Sequence, residues 1–227
     1  MIKKVIFDID NTLIPWKKEY FNEIYNVLKD LQIKCTTEDF KNITKALEEY
    51  EKEHLKFKKD VMLNFINNYT GKTYPKEFMD NIIEKWSNCV PEKLPDETIK
   101  MLEYVKNKYE VVILTDWYKE QQVKRLKKTK ILKYFSEVYC AENTKRKPYK
   151  EAFMQAIGTY KPEQCIMIGD NFERDIEGAL KAGLQAIYYN PKSEEKTPII
   201  SYYSINDNTE KIKYYTISKL EEITEIL

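Results

Sequence analysis

Short apolar runs alternate with amphipathic stretches along most of the chain. Three runs are too short for helices and predict buried β-strands, at residues 5–7, 111–114 and 165–168. Weaker β-prone runs predict further strands near residues 137–140, 185–189 and 214–217. Hydrophobic spacings of three and four predict helices between the strands, at about 97–107, 119–128, 150–157 and 176–182. This alternation is typical of an α/β fold, in which helices cover both faces of a mostly parallel sheet.

The stretch from residue 15 to residue 88 lacks this alternation. Its hydrophobic residues recur at helical spacing and predict four helices, whose inner faces include Phe21, Ile24 and Leu28, then Phe40, Ile43 and Leu47, then Val61, Phe65 and Tyr69, and finally Phe78, Ile82 and Trp86. Thr37 is predicted to be the N-cap of the second helix. We therefore expect an all-helical domain at 15–89, inserted into an α/β core formed by 1–14 and 90–227.

Charge and composition exclude several classes of function. The 38 basic and 37 acidic side chains nearly cancel, so no bulk field attracts nucleic acid or an anionic membrane. No window approaches the roughly 18 apolar residues that a membrane span requires. The four cysteines form no CxxC pair and fit neither a zinc site nor a disulfide framework. We therefore expect a protein of the reducing cytoplasm, in which any recognition of anions is local.

Two acidic residues follow the first predicted strand. Asp8 and Asp10 are two positions apart, so on an extended chain both carboxylates point to one side. Two ionised carboxylates this close repel each other. One of them must therefore take up a proton, or a cation must lie between them.

Other polar residues follow the remaining strands of the predicted core. Asp170 and Asp175 come after the run at 165–168, Thr115 and Asp116 follow the run at 111–114, and Lys147 precedes a helix. Each residue alone is also typical of a turn, a helix cap or a solvated lysine. Ligands of parallel sheets bind at the carboxyl ends of the strands, where all of these residues fall. Clustered acids favour a hard divalent cation, by default Mg²⁺, and the hydroxyl, amides and lysine beside it indicate a phosphoryl site.

Together these segments resemble the haloacid dehalogenase superfamily of phosphohydrolases. The matching motifs occur in the family's order: Asp8-Ile9-Asp10-Asn11-Thr12-Leu13 (DxDxT), Leu114-Thr115-Asp116, Lys147-Pro148 and Gly169-Asp170 with Asp175 (GDxxxxD). The helical insertion resembles the family's C1-type cap. Gln121 and Gln122, which follow the second motif, resemble the branch that contains nucleotidases and phosphoglycolate phosphatases.

The resemblance implies a role for each matching residue. Asp8 is expected to be the nucleophile that forms an aspartyl-phosphate, and Asp10 the acid that protonates the leaving oxygen and then activates water. The resemblance further implies that Asp8, the backbone carbonyl of Asp10, and Asp170 bind Mg²⁺. It also implies a set that holds the phosphoryl group, namely Thr115, Asp116 and Lys147, and a set that supports the site, namely Thr12, Asn171 and Asp175.

The resemblance also narrows the reaction. Dehalogenases of the family lack the second acid, so Asp10 favours cleavage of a phosphate ester over cleavage of a carbon–halogen bond. The expected substrate is a small phosphomonoester, either a nucleoside monophosphate or a sugar or other metabolite phosphate. A phosphomutase acting on a sugar phosphate remains the alternative, because phosphomutases share all four motifs. The oligomeric state stays open.

Overall fold

A seven-stranded sheet organises the chain in the structure, a computed structural model that describes residues 1–205 and 210–227. Within these residues the strand order is β3-β2-β1-β4-β5-β7-β6, and β6 alone runs antiparallel to its neighbour. The strands are β1 (Lys4–Phe7), β2 (Glu110–Leu114), β3 (Glu137–Tyr139), β4 (Cys165–Gly169), β5 (Gln185–Tyr189), β6 (Ile199–Ile205) and β7 (Glu210–Ile217). The predicted α/β fold with a mostly parallel sheet is confirmed.

The register of the central strands fixes where the polar residues meet. Phe7 on β1 lies opposite Ile113 on β2 and Ile168 on β4. β2 and β4 each continue for one more residue, so the three strands end within one residue of one another. Asp8, Thr115 and Asp170 follow these ends, so the topology alone brings them to one edge of the sheet.

Helices cover both faces of the sheet. They are α5 (Asp96–Lys108), α6 (Lys119–Lys128), α7 (Lys150–Ile157), α8 (Gly178–Lys181) and α9 (Ile223–Ile226). Successive residues of β1 enter opposite cores, because side chains alternate across a strand. Val5 and Phe7 pack in one cluster with Leu102 of α5, while Ile6 packs in the other with Phe153 of α7.

Four helices precede α5 and share a hydrophobic core of their own. They are α1 (Glu23–Asp30), α2 (Thr37–Glu53), α3 (Lys59–Thr70) and α4 (Glu77–Asn88). Their buried side chains form a separate cluster centred on Trp86, whose indole donates to the Tyr20 carbonyl at 2.8 Å. Tyr118, at the start of α6, joins this cluster and so connects it to the sheet-bearing part. No helix of the described chain combines the length and hydropathy needed to cross a bilayer.

Several local predictions are wrong in detail. In α3 the buried residues are Met62, Leu63 and Ile66, whereas Val61 and Tyr69 are exposed. The helix was predicted correctly but its inner face was not, because apolar residues lie on more than one side of it. The helical turns after β4 also begin earlier than predicted, at Phe172, since the Asn171 side chain caps the Arg174 amide. Strand β6 was not predicted.

The N-cap of α2 is Thr36, not the predicted Thr37. Its hydroxyl accepts from the Asp39 amide at 3.1 Å, and the Asp39 carboxylate accepts from the Thr36 amide at 3.0 Å. This reciprocal capping box requires an acid three residues after the cap, which Thr36 has. We expect Thr36→Ala to lower the free energy of unfolding by about 1 kcal/mol. Thr37→Ala is the matched control in urea unfolding, and an equal loss in the two variants would contradict the assignment.

Candidate active site

A tight turn after β1 positions the first two acids. Asn11 adopts a left-handed conformation (φ 60°), and its amide donates to the Ile14 carbonyl at 2.9 Å. Asparagine tolerates this conformation better than most residues because its short polar side chain bonds locally. Here its side-chain oxygen accepts from the Trp16 amide at 2.9 Å. The turn leaves Asp8 and Asp10 at the carboxyl end of β1.

Asp8 and Lys147 form a buried ion pair. The Lys147 ammonium donates to Asp8 Oδ1 at 2.7 Å and to Asp175 Oδ1 at 2.6 Å, and all three side chains are nearly inaccessible. The other oxygen of Asp8 meets a weaker donor, the Thr12 hydroxyl at 3.5 Å. Thr12 also donates to Asp170 Oδ1 at 3.3 Å. One carboxylate oxygen of Asp8 is thus fixed by the lysine, and the other faces Thr12.

The segment after β4 supplies the remaining acids. Asp175 Oδ2 accepts from the Asn171 amide at 3.0 Å, while its Oδ1 holds Lys147. A Cβ on Gly169 would lie 2.3 Å from Asp175 Oδ2, so this position requires glycine. Asn171, predicted to support the site, lines the same cavity, and its side-chain oxygen caps the Arg174 amide at 2.9 Å.

Three carboxylates crowd together at this edge of the sheet. Oxygens of Asp8, Asp170 and Asp175 lie within 4.8 Å of one another. Burial raises the pKa of Asp8, an effect that the Lys147 charge opposes, and burial with the nearby Asp175 raises the pKa of Asp170 to about 6. Burial alone would lower the pKa of Lys147, but the negative charges of Asp175 and Asp8 raise it above its usual value. Lys147 is therefore held charged, and the carboxylates favour a further cation beside it.

The predicted phosphate-side residues lie next to this cluster. Thr115 is buried, and its hydroxyl is 3.5 Å from the Trp117 amide. The buried Asp116 carboxylate accepts from the Lys147 amide at 2.9 Å, which fixes the segment that carries the lysine. Burial raises the pKa of Asp116. Its second oxygen lies 3.6 Å from Arg174.

Asp10 faces a different set of partners. Its Oδ2 accepts from Gln122 Nε2 at 2.7 Å, and its Oδ1 forms an ion pair with Arg125. Both partners lie on α6 and are fully buried. No role was predicted for Arg125. The signal in the sequence was a basic residue three positions after Gln122, and therefore on the same face of a helix.

One cavity of about 200 Å³ opens between the residues of the four motifs. The polar side chains that line it include Asp8, Asp10, Thr115, Lys147, Asp170 and Asp175, and its aromatic lining consists of Trp16, Phe21 and Trp117. Trp16 and Trp117 stack with their ring centroids 6.1 Å apart. Two further charges were missed by the sequence analysis, Glu51 of α2 and Arg174. Both line the cavity and form an ion pair, with Arg174 Nη1 2.6 Å from Glu51 Oε1.

Comparison with known proteins places the chain in a family. Residues 2–183 match the family model described as haloacid dehalogenase-like hydrolase. The chain is 26% identical to the HAD-hydrolase YfnB of Bacillus subtilis over 235 residues, which cover 99% of this chain and 95% of that protein. It is 22% identical to the N-acylneuraminate-9-phosphatase of Mus musculus over 248 residues, covering 100% and 94% of the two chains. The pyrimidine 5'-nucleotidase YjjG of Escherichia coli is 24% identical over 239 residues, covering 98% and 96%.

The fold agrees with the sequence match. The crystal structure of YfnB bound to magnesium superimposes with a TM-score of 0.70 at 21% identity, and the match covers 100% of this chain and 98% of YfnB. The family model spans most of the chain, including every residue singled out in the four motifs. The chain therefore belongs to the haloacid dehalogenase-like hydrolase family.

Proposed function

We propose that the protein is a Mg²⁺-dependent hydrolase of small phosphomonoesters, with Asp8 as its nucleophile. The observation that carries this proposal is the buried ion pair of Asp8 with Lys147, 2.7 Å apart, beside Asp170 in a cavity lined by Thr115. A nucleophilic carboxylate, a fixed cation and hydroxyl donors around one small space are what transfer of a phosphoryl group requires. The phosphatases among its relatives support the same reaction.

The acidic cluster fits a divalent metal ion. Asp8, Asp170 and Asp175 bring three carboxylates together, while Lys147 contributes a single positive charge to them. Oxygen ligands of this kind suit Mg²⁺. We propose that Asp8, Asp170 and the backbone carbonyl of Asp10 hold the ion, with Asp175 supporting it through Lys147. When bound, Mg²⁺ neutralises charge on the phosphoryl oxygens and on the carboxylates.

The chain's own residues carry the steps. Asp8 attacks the phosphorus atom and becomes an aspartyl-phosphate, while Lys147 and Thr115 hold the phosphoryl oxygens. Asp10 donates a proton to the leaving oxygen in this step and accepts one from the attacking water in the next. Thr12 keeps Asp8 and Asp170 in place through its hydroxyl, which contacts both at 3.5 Å and 3.3 Å.

We further propose that the chain has two domains, a cap and a core. Residues 15–89 act as a cap over the core formed by 1–14 and 90–227. Support comes from the separate hydrophobic cluster of the four inserted helices and from Glu51 of α2, which lines the cavity. A cap in this position excludes bulk water from the reacting groups.

Two features of the cavity favour different substrate classes. The Trp16, Phe21 and Trp117 rings offer stacking surfaces for the base of a nucleoside monophosphate. The volume of about 200 Å³ instead suits a sugar or other small metabolite phosphate, since it is below the usual size of ligand pockets. A nucleotide would require the cap to open further. An assay of released phosphate with a metabolite panel, made up of nucleoside monophosphates and of sugar and other metabolite phosphates, shows which class the enzyme prefers.

The experiment that tests the proposed function is an assay with purified protein and p-nitrophenyl phosphate, followed by the metabolite panel. We expect hydrolysis with Mg²⁺ and its loss with EDTA. Conversion of a sugar monophosphate to its isomer without free phosphate would instead establish the phosphomutase alternative. No turnover of any phosphomonoester in Mg²⁺ would contradict the proposal.

Gly169→Ala tests the packing around Asp175. The added Cβ would meet Asp175 Oδ2 at 2.3 Å and displace the carboxylate that holds Lys147. We expect a fall in kcat of about 10²-fold or more, because small misplacements of reacting groups have effects of this size. The matched control is Gly71→Ala, where an added Cβ meets nothing within 4 Å and only backbone strain results. Full activity in Gly169→Ala would contradict the role given to Asp175.

A further inference from the structure

Gln122 and Arg125 both bind the carboxylate of Asp10. Gln122 Nε2 donates to Asp10 Oδ2 at 2.7 Å, and Arg125 binds Asp10 Oδ1 through one guanidinium nitrogen. The same nitrogen donates to Gln122 Oε1 at 2.8 Å. The two α6 side chains are therefore linked to each other as well as to Asp10. We call them the Gln122–Arg125 pair.

The pair also connects Asp10 to the phosphate side of the cavity. Gln122 Nε2 lies 3.0 Å from Thr115 Oγ1, so one amide group contacts both the second acid and the hydroxyl expected to bind the phosphoryl group. The leaving oxygen is covalently bonded to the phosphorus, so the position of the phosphoryl group fixes the position of this oxygen. A contact that fixes Asp10 relative to the phosphoryl site therefore also fixes Asp10 relative to the leaving oxygen.

Stability alone does not account for Arg125. Its side chain is completely buried, and two of its nitrogens, Nε and Nη2, have no hydrogen-bond partner among the described residues. A buried ion pair is often no more stabilising than apolar side chains of similar size, and unpaired buried donors add a cost. The guanidinium carbon lies 5.7 Å from the ring centroid of Trp16, which is a weak additional contact.

We propose that the Gln122–Arg125 pair positions Asp10 for proton transfer to the leaving group. The inference rests on the proposed phosphatase function and deepens it. Each carboxylate oxygen has a second lone pair, so Asp10 can carry and transfer a proton while Gln122 and Arg125 hold its orientation. Neither residue touches the substrate in this account; both act through Asp10.

The test compares a substrate that needs an acid with one that does not. Ethyl phosphate has a poor leaving group, whereas p-nitrophenolate leaves without help. We compare kcat/KM, because this ratio covers only the steps up to departure of the leaving group, whereas hydrolysis of the aspartyl-phosphate is common to both substrates. We expect Arg125→Met to lower kcat/KM for ethyl phosphate by about 10²-fold, a usual contribution of general acid catalysis. The loss in kcat/KM for p-nitrophenyl phosphate should be at least tenfold smaller. Arg125→Lys should recover part of the lost activity, and Gln122→Leu should show the same selectivity with a smaller loss.

A double-mutant comparison separates positioning from a general structural effect. If Arg125 acts through Asp10, Arg125→Met should cause no further loss with ethyl phosphate once Asp10→Asn is present. Gln121→Leu is the matched control, since Gln121 is also buried in α6 but has no hydrogen bond to a described residue. Thermal unfolding of every variant checks the fold. If Arg125→Met does not fold, the Gln122→Leu and Arg125→Lys results decide.

Equal losses on both substrates, or additive losses with Asp10→Asn, would overturn the inference and leave the proposed function standing. The wild type and Asp8→Asn, assayed alongside, report on the function itself. A wild type that hydrolyses neither these two substrates nor any member of the metabolite panel, or an Asp8→Asn variant with full activity, would contradict the proposed function and this inference with it.

Discussion

Asp8→Asn should abolish phosphatase activity while leaving the fold intact. The amide is a much weaker nucleophile than the carboxylate, and the change also removes one negative charge from the proposed metal site. We expect kcat with p-nitrophenyl phosphate in Mg²⁺ to fall by about 10⁴-fold or more, as for other nucleophile deletions. Lys147 keeps its pairing with Asp175, 2.6 Å away, so the thermal unfolding midpoint should change little.

The control for this variant is Asp60→Asn, an isosteric change at an exposed position of α3. Its activity should equal that of the wild type. Turnover by Asp8→Asn above the background of a mock purification would exclude Asp8 as the nucleophile. A variant that is both inactive and unfolded would instead show that the carboxylate is needed for the fold.

Lys147→Met should reduce both activity and stability. The methionine side chain is unbranched like that of lysine and one atom shorter, and it leaves the buried carboxylates of Asp8 and Asp175 without their lysine partner. Breaking a buried ion pair from one side costs about 3–5 kcal/mol of unfolding free energy. Loss of a charge that contacts the phosphoryl group should lower kcat by about 10³-fold. Mg²⁺ should stabilise the variant against urea, because the cation replaces part of the missing charge.

Lys145→Met is the matched control two residues away. Lys145 lies at the surface and pairs with Glu151 at 2.6 Å, an exposed contact expected to contribute less than about 1 kcal/mol. Its activity and its urea midpoint should stay close to those of the wild type. If Lys147→Met were as stable and as active as Lys145→Met, the buried ion pair would have no part in the function.

The sequence predicted the sheet better than the helices' inner faces. Three of the strands stand out because buried parallel strands are continuous apolar runs between turn residues, as in 111–114 and 165–168, and weaker β-prone runs mark three more. Strand β6 was not predicted because it lies at the edge of the sheet. Its Ile200 and Tyr202 side chains are exposed, and serines interrupt its apolar residues. In α3, residues such as Val61 and Tyr69 look like core residues but lie outside, since hydrophobicity alone does not tell which of several apolar stripes is buried.

The sequence predicts where part of the candidate site lies. Asp8, Thr115 and Asp170 meet because each follows a parallel strand and these strands end at one edge of the sheet. Lys147 lies in the loop between β3 and α7 and joins them through its ion pair with Asp8. The sequence pattern does not indicate which side chains of the helices contact this edge of the sheet. Arg125, Arg174 and Glu51 look like ordinary solvated charges in their helices, and only the packing brings them to the cavity or buries them.

Chemical trapping tests whether Asp8 is the nucleophile. In the proposed mechanism Asp8 carries a covalent phosphoryl group during turnover. Borohydride added during steady-state hydrolysis should reduce this acyl phosphate, and peptide mass mapping should locate the reduced residue at Asp8. The Asp8→Asn variant and wild type without substrate should show no reduction. Trapping at another carboxylate, or rapid hydrolysis with no trapped residue at Asp8, would contradict the account.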